Sequence, residues 1–397
     1  MERFEGDLSH LWKLGEMKPL HRLTWDWWWW LVMLRHPTDP TISRQLMVLW
    51  STKDTPVIDV SGLEWKGGRP LIDEEGGYSV PGMVAAWWFD GEKMWEPIVR
   101  TPVQMAAIHS RHSLWPQKAS AEPIDGSGAV IPICERDLSM GLRDDGSSFW
   151  LHLEADEKMI ERGSSKKFDL EMTPWTKPMS TARWAHKEYA AGMGYDILRL
   201  HGAKVNGIID GEKVEGTAYF QKVCVQAPSP PWYWGMLHAN DGSYFDWFMP
   251  HLAPTITAKD DRPWKLRDTP HIAISPAGLF HDAQRERSEK FEKVQVQKIP
   301  GERCEGGDGN YPDAPLPVFE VKMWNGRTTI HLRAEAVSRA HWTFDQPTRG
   351  RMTSHLTYNE YPLKVTKMRI KDEIGVRTLK DYEWITGNGE HAWGILH

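Results

Sequence analysis

Two runs of this sequence place chemically capable side chains on a common face. In 215–222 (Glu-Gly-Thr-Ala-Tyr-Phe-Gln-Lys), period-two alternation sets Thr217, Tyr219 and Gln221 on one side and Ala218, Phe220 and Lys222 on the other. In 232–238 (Trp-Tyr-Trp-Gly-Met-Leu-His), Trp232, Trp234, Met236 and His238 share a side. The return strand after Asn240-Asp241-Gly242 adds Tyr244, Asp246 and Phe248. A polar group buried among tryptophans must be paired or face a ligand. Each residue taken singly also suits a core; together they read as a pocket lining. The chain carries 23 tryptophans, with further clusters at Trp25, Trp27–Trp30 and Trp87-Trp88. Such residues fill wide β cores or wall a pocket for a large apolar ligand or a cationic transition state, and both can hold at once.

Other chemistries are excluded by motif. No phosphate loop, dinucleotide fingerprint, His-Glu-x-x-His, Cys-x-x-Cys or Gly-x-Ser-x-Gly elbow occurs. His109 and His112 lack a third ligand nearby and read as loop histidines. No cofactor and no metal is expected. Cys134, Cys224 and Cys304 make neither a disulfide framework nor a metal pattern. A net charge of −6 gives no electrostatic footprint for nucleic acid. No apolar run is long enough to span a bilayer, residues 1–16 lack a signal-peptide core, and no Asn-x-Ser/Thr sequon occurs, so a cytoplasmic protein is expected. The expected partner is an apolar small molecule; the sequence leaves the oligomeric state open.

The elements that must hold these residues are strands. Asp-Gly occurs at Asp90, Asp125, Asp145, Asp210, Asp241 and Asp308, and Asn-Gly at Asn206, Asn325 and Asn388, the local signature of antiparallel hairpins. Strands are expected at 45–50, 83–89, 148–154, 167–172, 217–225, 232–238, 244–248, 293–296, 318–323, 328–336, 353–358 and 364–370. Only 283–293 carries a helical pattern. Connections are expected at 162–167, 175–189, 249–276 and 300–317. The length suits two units, placed at 1–250 and 251–397, mainly β, as sandwiches or barrels with few short helices.

Trp25-Asp26-Trp27-Trp28-Trp29-Trp30 followed by Met47-Val48-Leu49-Trp50 resembles the Glu-Trp-Trp-Tyr strand pair of a two-domain lipocalin-like group. So does Gly216-Thr217-Ala218-Tyr219, then Trp232-Tyr233-Trp234-Gly235, then Asp241-Gly242-Ser243. The group includes carotenoid 1,2-hydratases, prenyl hydratases and fungal Diels–Alderases. The resemblance implies an N-terminal sandwich or lipocalin-like domain, a C-terminal lipocalin-like barrel, an apolar pocket in or between them, and no required cofactor. Where its hydratases carry an Asp-His pair with a proton-donating Asp, this chain has Gln221-Lys222, and glutamine cannot protonate an alkene. Substitute acids are Asp26, Glu64, Asp196 and Asp246, whose pKa burial would raise; each also suits a solvent-facing or turn-capping carboxylate. Lys222, Tyr219 or Gln221 would polarise a carbonyl. The expected substrate walls are Trp27, Trp29, Trp88, Trp232, Trp234, His238 and Tyr244, with Trp342 and Tyr358 facing them from the second unit. The leading reading is a cofactor-independent cyclase of the Diels–Alderase type on a polyene or polyketide-derived precursor of secondary metabolism. Its alternatives are a hydratase or isomerase of a prenyl or carotenoid double bond, with a relocated acid, and a non-catalytic lipid or pigment carrier.

Overall fold

Alternation in the tryptophan run sets the architecture. In the strand Thr24–Arg35, Trp28, Trp30, Val32 and Leu34 point one way and Trp29, Leu31 and Met33 the other, and both rows are buried. A strand covered on both faces needs a packed layer on each side. The computed structural model describes residues 2–16, 23–115, 125–130, 137–156, 166–227, 231–252, 272–304, 315–348 and 351–396. It supplies both layers: a closed barrel inside, and a second sheet outside.

The barrel has ten antiparallel strands. Around it run Thr24–Arg35, Ser43–Lys53, Tyr78–Phe89, Met94–His109, Gly126–Val130, Leu138–Arg143, Phe149–Glu154, Lys167–Pro174, Gly194–Ile209 and Glu212–Gln226, which returns to Thr24–Arg35. Closure leaves the ring itself no open edge. Its interior is packed with Trp28, Trp30, Trp50, Trp88, Phe149, Phe168 and Phe220.

The second sheet begins at Trp232. Its main path is Arg287–Phe291, Ala277–Asp282, Tyr244–Leu252, Trp232–Ala239, Ile385–Leu396, Thr353–Lys371, Thr329–Ala336, Pro315–Trp324 and Lys293–Cys304. Tyr233, Phe245, Trp247, Phe319 and Tyr361 fill its own core. The strand Ala340–Pro347 pairs with Thr353–Lys371 and with Ile58–Val60, whose hairpin partner is Leu63–Trp65. That hairpin crosses over from the barrel half of the chain. A third core, including Trp29, Met47, Trp87, Tyr219, Trp234 and Trp342, lies between the sheets.

The protein is mainly β, 68% strand and 4% helix. Five of the dipeptides sit in strand connections as expected, and Asp210-Gly211 makes a two-residue hairpin turn with φ of 50° and 87°. Asn206-Gly207 and Asn388-Gly389 instead lie inside strands. There the glycines serve close approach: a Cβ on Gly207 would meet Asp169 O at 2.3 Å. The helix expected at 283–293 is a 3-10 turn, Ala283–Arg285, followed by strand. Expected strands 353–358 and 364–370 are one strand, Thr353–Lys371. Most of the expected connections at 249–276 and 300–317, and Asp308, lie outside the described residues. We place the division between the units at 227–231, where the chain changes sheet, rather than at 250, which falls inside Tyr244–Leu252.

Candidate active site between the two sheets

The pleat aims the outward row of the barrel at the inward row of the second sheet. From the barrel come Trp27, Trp29, Trp87, Tyr219 and Gln221; from the second sheet come Trp232, Trp234, His238, Tyr244, Asp246, Trp342 and Tyr358. Ring centroids of Trp29 and Trp234 lie 5.6 Å apart, Trp29 and Tyr219 5.6 Å, and Tyr219 and Trp234 5.4 Å. These are edge or tilted contacts, the favoured aromatic geometry. Trp27, Gln221, Trp232 and Tyr358 are partly exposed and form a rim.

The chemistry is concentrated in a row that crosses the second sheet. Trp234 pairs with Glu390, and Glu390 pairs with Glu360, so two carboxyls stand side by side on the cleft face. Both are buried, at 5% and 0% exposure. Glu390 accepts hydrogen bonds from the Tyr358 hydroxyl and from Trp232 Nε1, the latter at 3.1 Å. Burial still pushes its pKa up to about 7. Neither oxygen of Glu360 has a hydrogen-bond partner among the described residues. Burial, then the charges of Glu390 and Glu96, hold Glu360 well above the usual carboxylate range, against the pull of Tyr358 and Trp87 beside it. Burial and mutual repulsion disfavour ionising both of these adjacent carboxyls together.

A second polar group lies one diagonal step away. Asp246 is buried, with Arg199 Nη1 at 3.8 Å and His201 Nε2 at 3.9 Å. Burial raises its pKa, and Arg199 opposes the rise. Tyr219, whose hydroxyl donates to Gln221 Oε1 at 3.2 Å, feels the charges of Arg199, Asp246 and Glu390 together, so the two groups form one site.

His238 is fully engaged in joining the sheets. Its Nε2–H donates to His201 O at 2.7 Å, and its Nδ1 accepts from the Thr217 hydroxyl at 2.8 Å. Burial lowers its pKa to about 4, so the ring is neutral and acts as a strut. Gln45 makes a second strut, donating to Gly387 O at 2.8 Å and accepting from Asn388 Nδ2 at 3.0 Å.

Five of the residues singled out by sequence lie elsewhere. Lys222 and Asp26 face the barrel interior and pair with each other at 2.5 Å, because the alternation that aims Tyr219 and Gln221 outward turns Lys222 inward. Trp88 packs in the barrel core against Phe168 for the same reason of parity. Glu64 is exposed on the Leu63–Trp65 edge. Asp196, the remaining substitute acid, bonds His186 at 2.5 Å on Thr181–Glu188, a strand that pairs with Gly194–Ile209 outside the ring. Sequence reasoning passed over Glu360 and Glu390. Glu390 follows Asn388-Gly389, a pair that reads locally as a turn, and Glu360 falls in the gap left between 353–358 and 364–370. Reading 353–371 as one strand puts Glu360 beside Tyr358, the available signal. Among the described residues, no three His, Cys, Asp or Glu side chains gather as metal ligands do. No described helix is long and apolar enough to cross a membrane.

No protein-family model and no curated protein matches the chain. Solved structures do. A protein provisionally assigned as AttH from Nitrosomonas europaea is similar over 96% of this chain and 97% of its own, at 13% identity and a TM-score of 0.49. Kievitone hydratase from Nectria haematococca is similar over 99% and 96%, at 10% identity and a TM-score of 0.42. CghA is similar over 100% and 96%, at 8% identity and a TM-score of 0.46. At such identities and scores the likeness says nothing of residues, substrate or reaction.

Proposed function

We propose that this chain is a cofactor-free enzyme that transfers a proton to a carbon–carbon double bond of a large apolar molecule held between the sheets. One observation carries the reading: Glu360 and Glu390 form a cross-strand carboxyl pair, buried among tryptophans, and burial pushes both pKa values up. Tyr358 and Trp232 donate to Glu390 and favour its anion, whereas Glu360 has no donor bonded to it and keeps the proton. Glu360 is then the acid. Its O–H bond breaks, a C–H bond forms, and the electron pair of the alkene leaves a cation. The faces of Trp232, Trp234 and Trp342 stabilise that cation by about 0.5–2 kcal/mol each. Loss of a neighbouring proton to Glu390 gives an isomerised or cyclised product, and return of that proton to Glu360 resets the pair. Capture of the cation by water, which gives up a proton to Glu390 as its C–O bond forms, gives a hydrated product instead.

Tyr219 and Gln221, side by side on the cleft face, favour a second reading. They suit the polarisation of a carbonyl in a pericyclic ring closure within rigid aromatic walls. Reactions of a panel of polyenes and prenylated compounds in heavy water separate the two. Proton transfer places solvent deuterium on carbon in the product, and Glu360→Gln lowers that turnover by about 10²–10⁴. A ring closure without deuterium uptake that proceeds at full rate in Glu360→Gln supports the pericyclic reading. Binding with no conversion supports the carrier.

A further inference from the structure

One buried cation on the cleft face takes no part in this chemistry. Lys53 ends the strand Ser43–Lys53, on the same side as Met47, Leu49 and Ser51. Its ammonium donates to Gln346 Oε1 of the second sheet at 2.7 Å and lies 3.7 Å from the centroid of the Trp25 ring. The residue is 5% exposed. Among the described residues no charge offsets its burial, which brings its pKa down to about 7. A buried ammonium held by one amide and one ring is poorly compensated.

Its surroundings hold unsatisfied polar atoms. Trp25 Nε1, Ser51 Oγ and Thr55 Oγ1 are buried with no hydrogen-bond partner. Trp25 pairs directly with Lys53, and Ser51 and Thr55 flank Lys53 in the chain. Buried donors are ordinarily satisfied. Each can donate, and beside an ammonium with a single amide acceptor they suit an oxygen anion, which only accepts.

Both walls give the same distance from this place to the carboxyl pair. On the barrel, Lys53 is six residues from Met47, which pairs with Trp87 beside Glu360. On the second sheet, Gln346 pairs with Ser354, six residues from Glu360. Six residues of strand span about 20 Å. Leu49, Trp27, Trp342 and Tyr358 line the interval with apolar surface.

We propose that Lys53 receives the carboxylate of a long-chain unsaturated acid whose double bond lies at Glu360 and Glu390. The proposal rests on the proton-transfer reading for the position of the double bond, and on the Lys53 surroundings alone for the carboxylate. The ammonium gains its counter-charge only when the ligand enters, so the pocket discriminates an acid from its neutral ester.

The test uses the full chain at pH 6.5 with cis-parinaric acid, a conjugated tetraene acid whose fluorescence rises in apolar sites, and with its methyl ester. The acid should bind at least tenfold more tightly than the ester. Lys53→Met should abolish that difference while binding the ester as before, and Lys53→Arg should restore it. Near-ultraviolet circular dichroism confirms the fold of each variant; where Lys53→Met fails this check, Lys53→Gln replaces it against Lys53→Arg. Failure of the acid to bind, equal binding of acid and ester, or a preference that survives loss of the lysine would overturn the proposal. Deuterium uptake and its loss in Glu360→Gln report separately on the proton-transfer reading. A Lys53-dependent acid preference stands where no deuterium is transferred, and deuterium transfer without that preference overturns the Lys53 proposal alone.

Discussion

A carboxyl whose folded-state pKa stands near 7 is a cost to the fold above its ordinary value of 4.5. For Glu390 the folded protein holds a proton that the unfolded chain releases, so stability falls as pH rises from about 4.5 to 7 and levels off above. Glu390→Gln removes this penalty. Urea midpoints should show the variant more stable than the parent at pH 8, by roughly 1–3 kcal/mol, with the difference vanishing near pH 4. Equal midpoints at pH 8 would show that the fold does not raise the Glu390 pKa. Lys222 is the opposite case. It is buried against Asp26, which also accepts from Gly15 N at 2.9 Å. Lys222→Met strands a buried carboxylate and should cost about 3–5 kcal/mol, and the double variant with Asp26→Asn should recover much of it. A Lys222→Met midpoint equal to the parent's would break this account.

At the scale of elements, the site depends on strands that pass unusually close. Gly235 sits between Trp247 on one neighbouring strand and Gly389 on the other. A Cβ at Gly235 would meet the Trp247 ring at 2.1 Å, and that ring is packed in the second core. Gly235→Ala therefore has to move a buried tryptophan or the strand carrying Trp234. It should cost about 1–3 kcal/mol in urea unfolding, with a larger proportional loss of turnover, because Glu390 is reached through the same pairing. A small stability loss with full turnover would show that the pairing tolerates the shift. His238 and Gln45 act at this scale too. Each bridges the sheets through two hydrogen bonds, fixing how one wall sits on the other.

On the scale of the whole molecule, the barrel is not finished by its own closure. Trp29, Leu31, Met33, Met47, Leu49, Met83 and Trp87 leave its outer surface apolar until the second sheet covers them. An exposed patch of that kind drives association. A fragment of residues 1–227 should elute as aggregates in size-exclusion chromatography and bind a hydrophobic dye, whereas the full chain gives one cooperative unfolding transition. A monomeric fragment that does not bind the dye would show that the barrel stands alone. The Ile58–Val60 and Leu63–Trp65 hairpin, which belongs by sequence to the barrel half but pairs in the second sheet, ties the two further.

Much of this was written in local chemistry. Period-two alternation grouped Tyr219 with Gln221 and Trp232 with Trp234 and His238, and the pleat kept those groups intact because side chains two apart must share a face. Asp210-Gly211 and Asp241-Gly242 made their hairpins because positive φ is easily reached there. The choice of face was not local. Parity separates Tyr219 from Lys222 without saying which looks into the barrel; that follows from Glu212–Gln226 closing the ring between Thr24–Arg35 and Gly194–Ile209. Nor could residues thirty positions apart announce that Glu360 and Glu390 would stand opposite each other. Their adjacency is set by strand register, and their raised pKa values by burial beneath tryptophans from both halves of the chain.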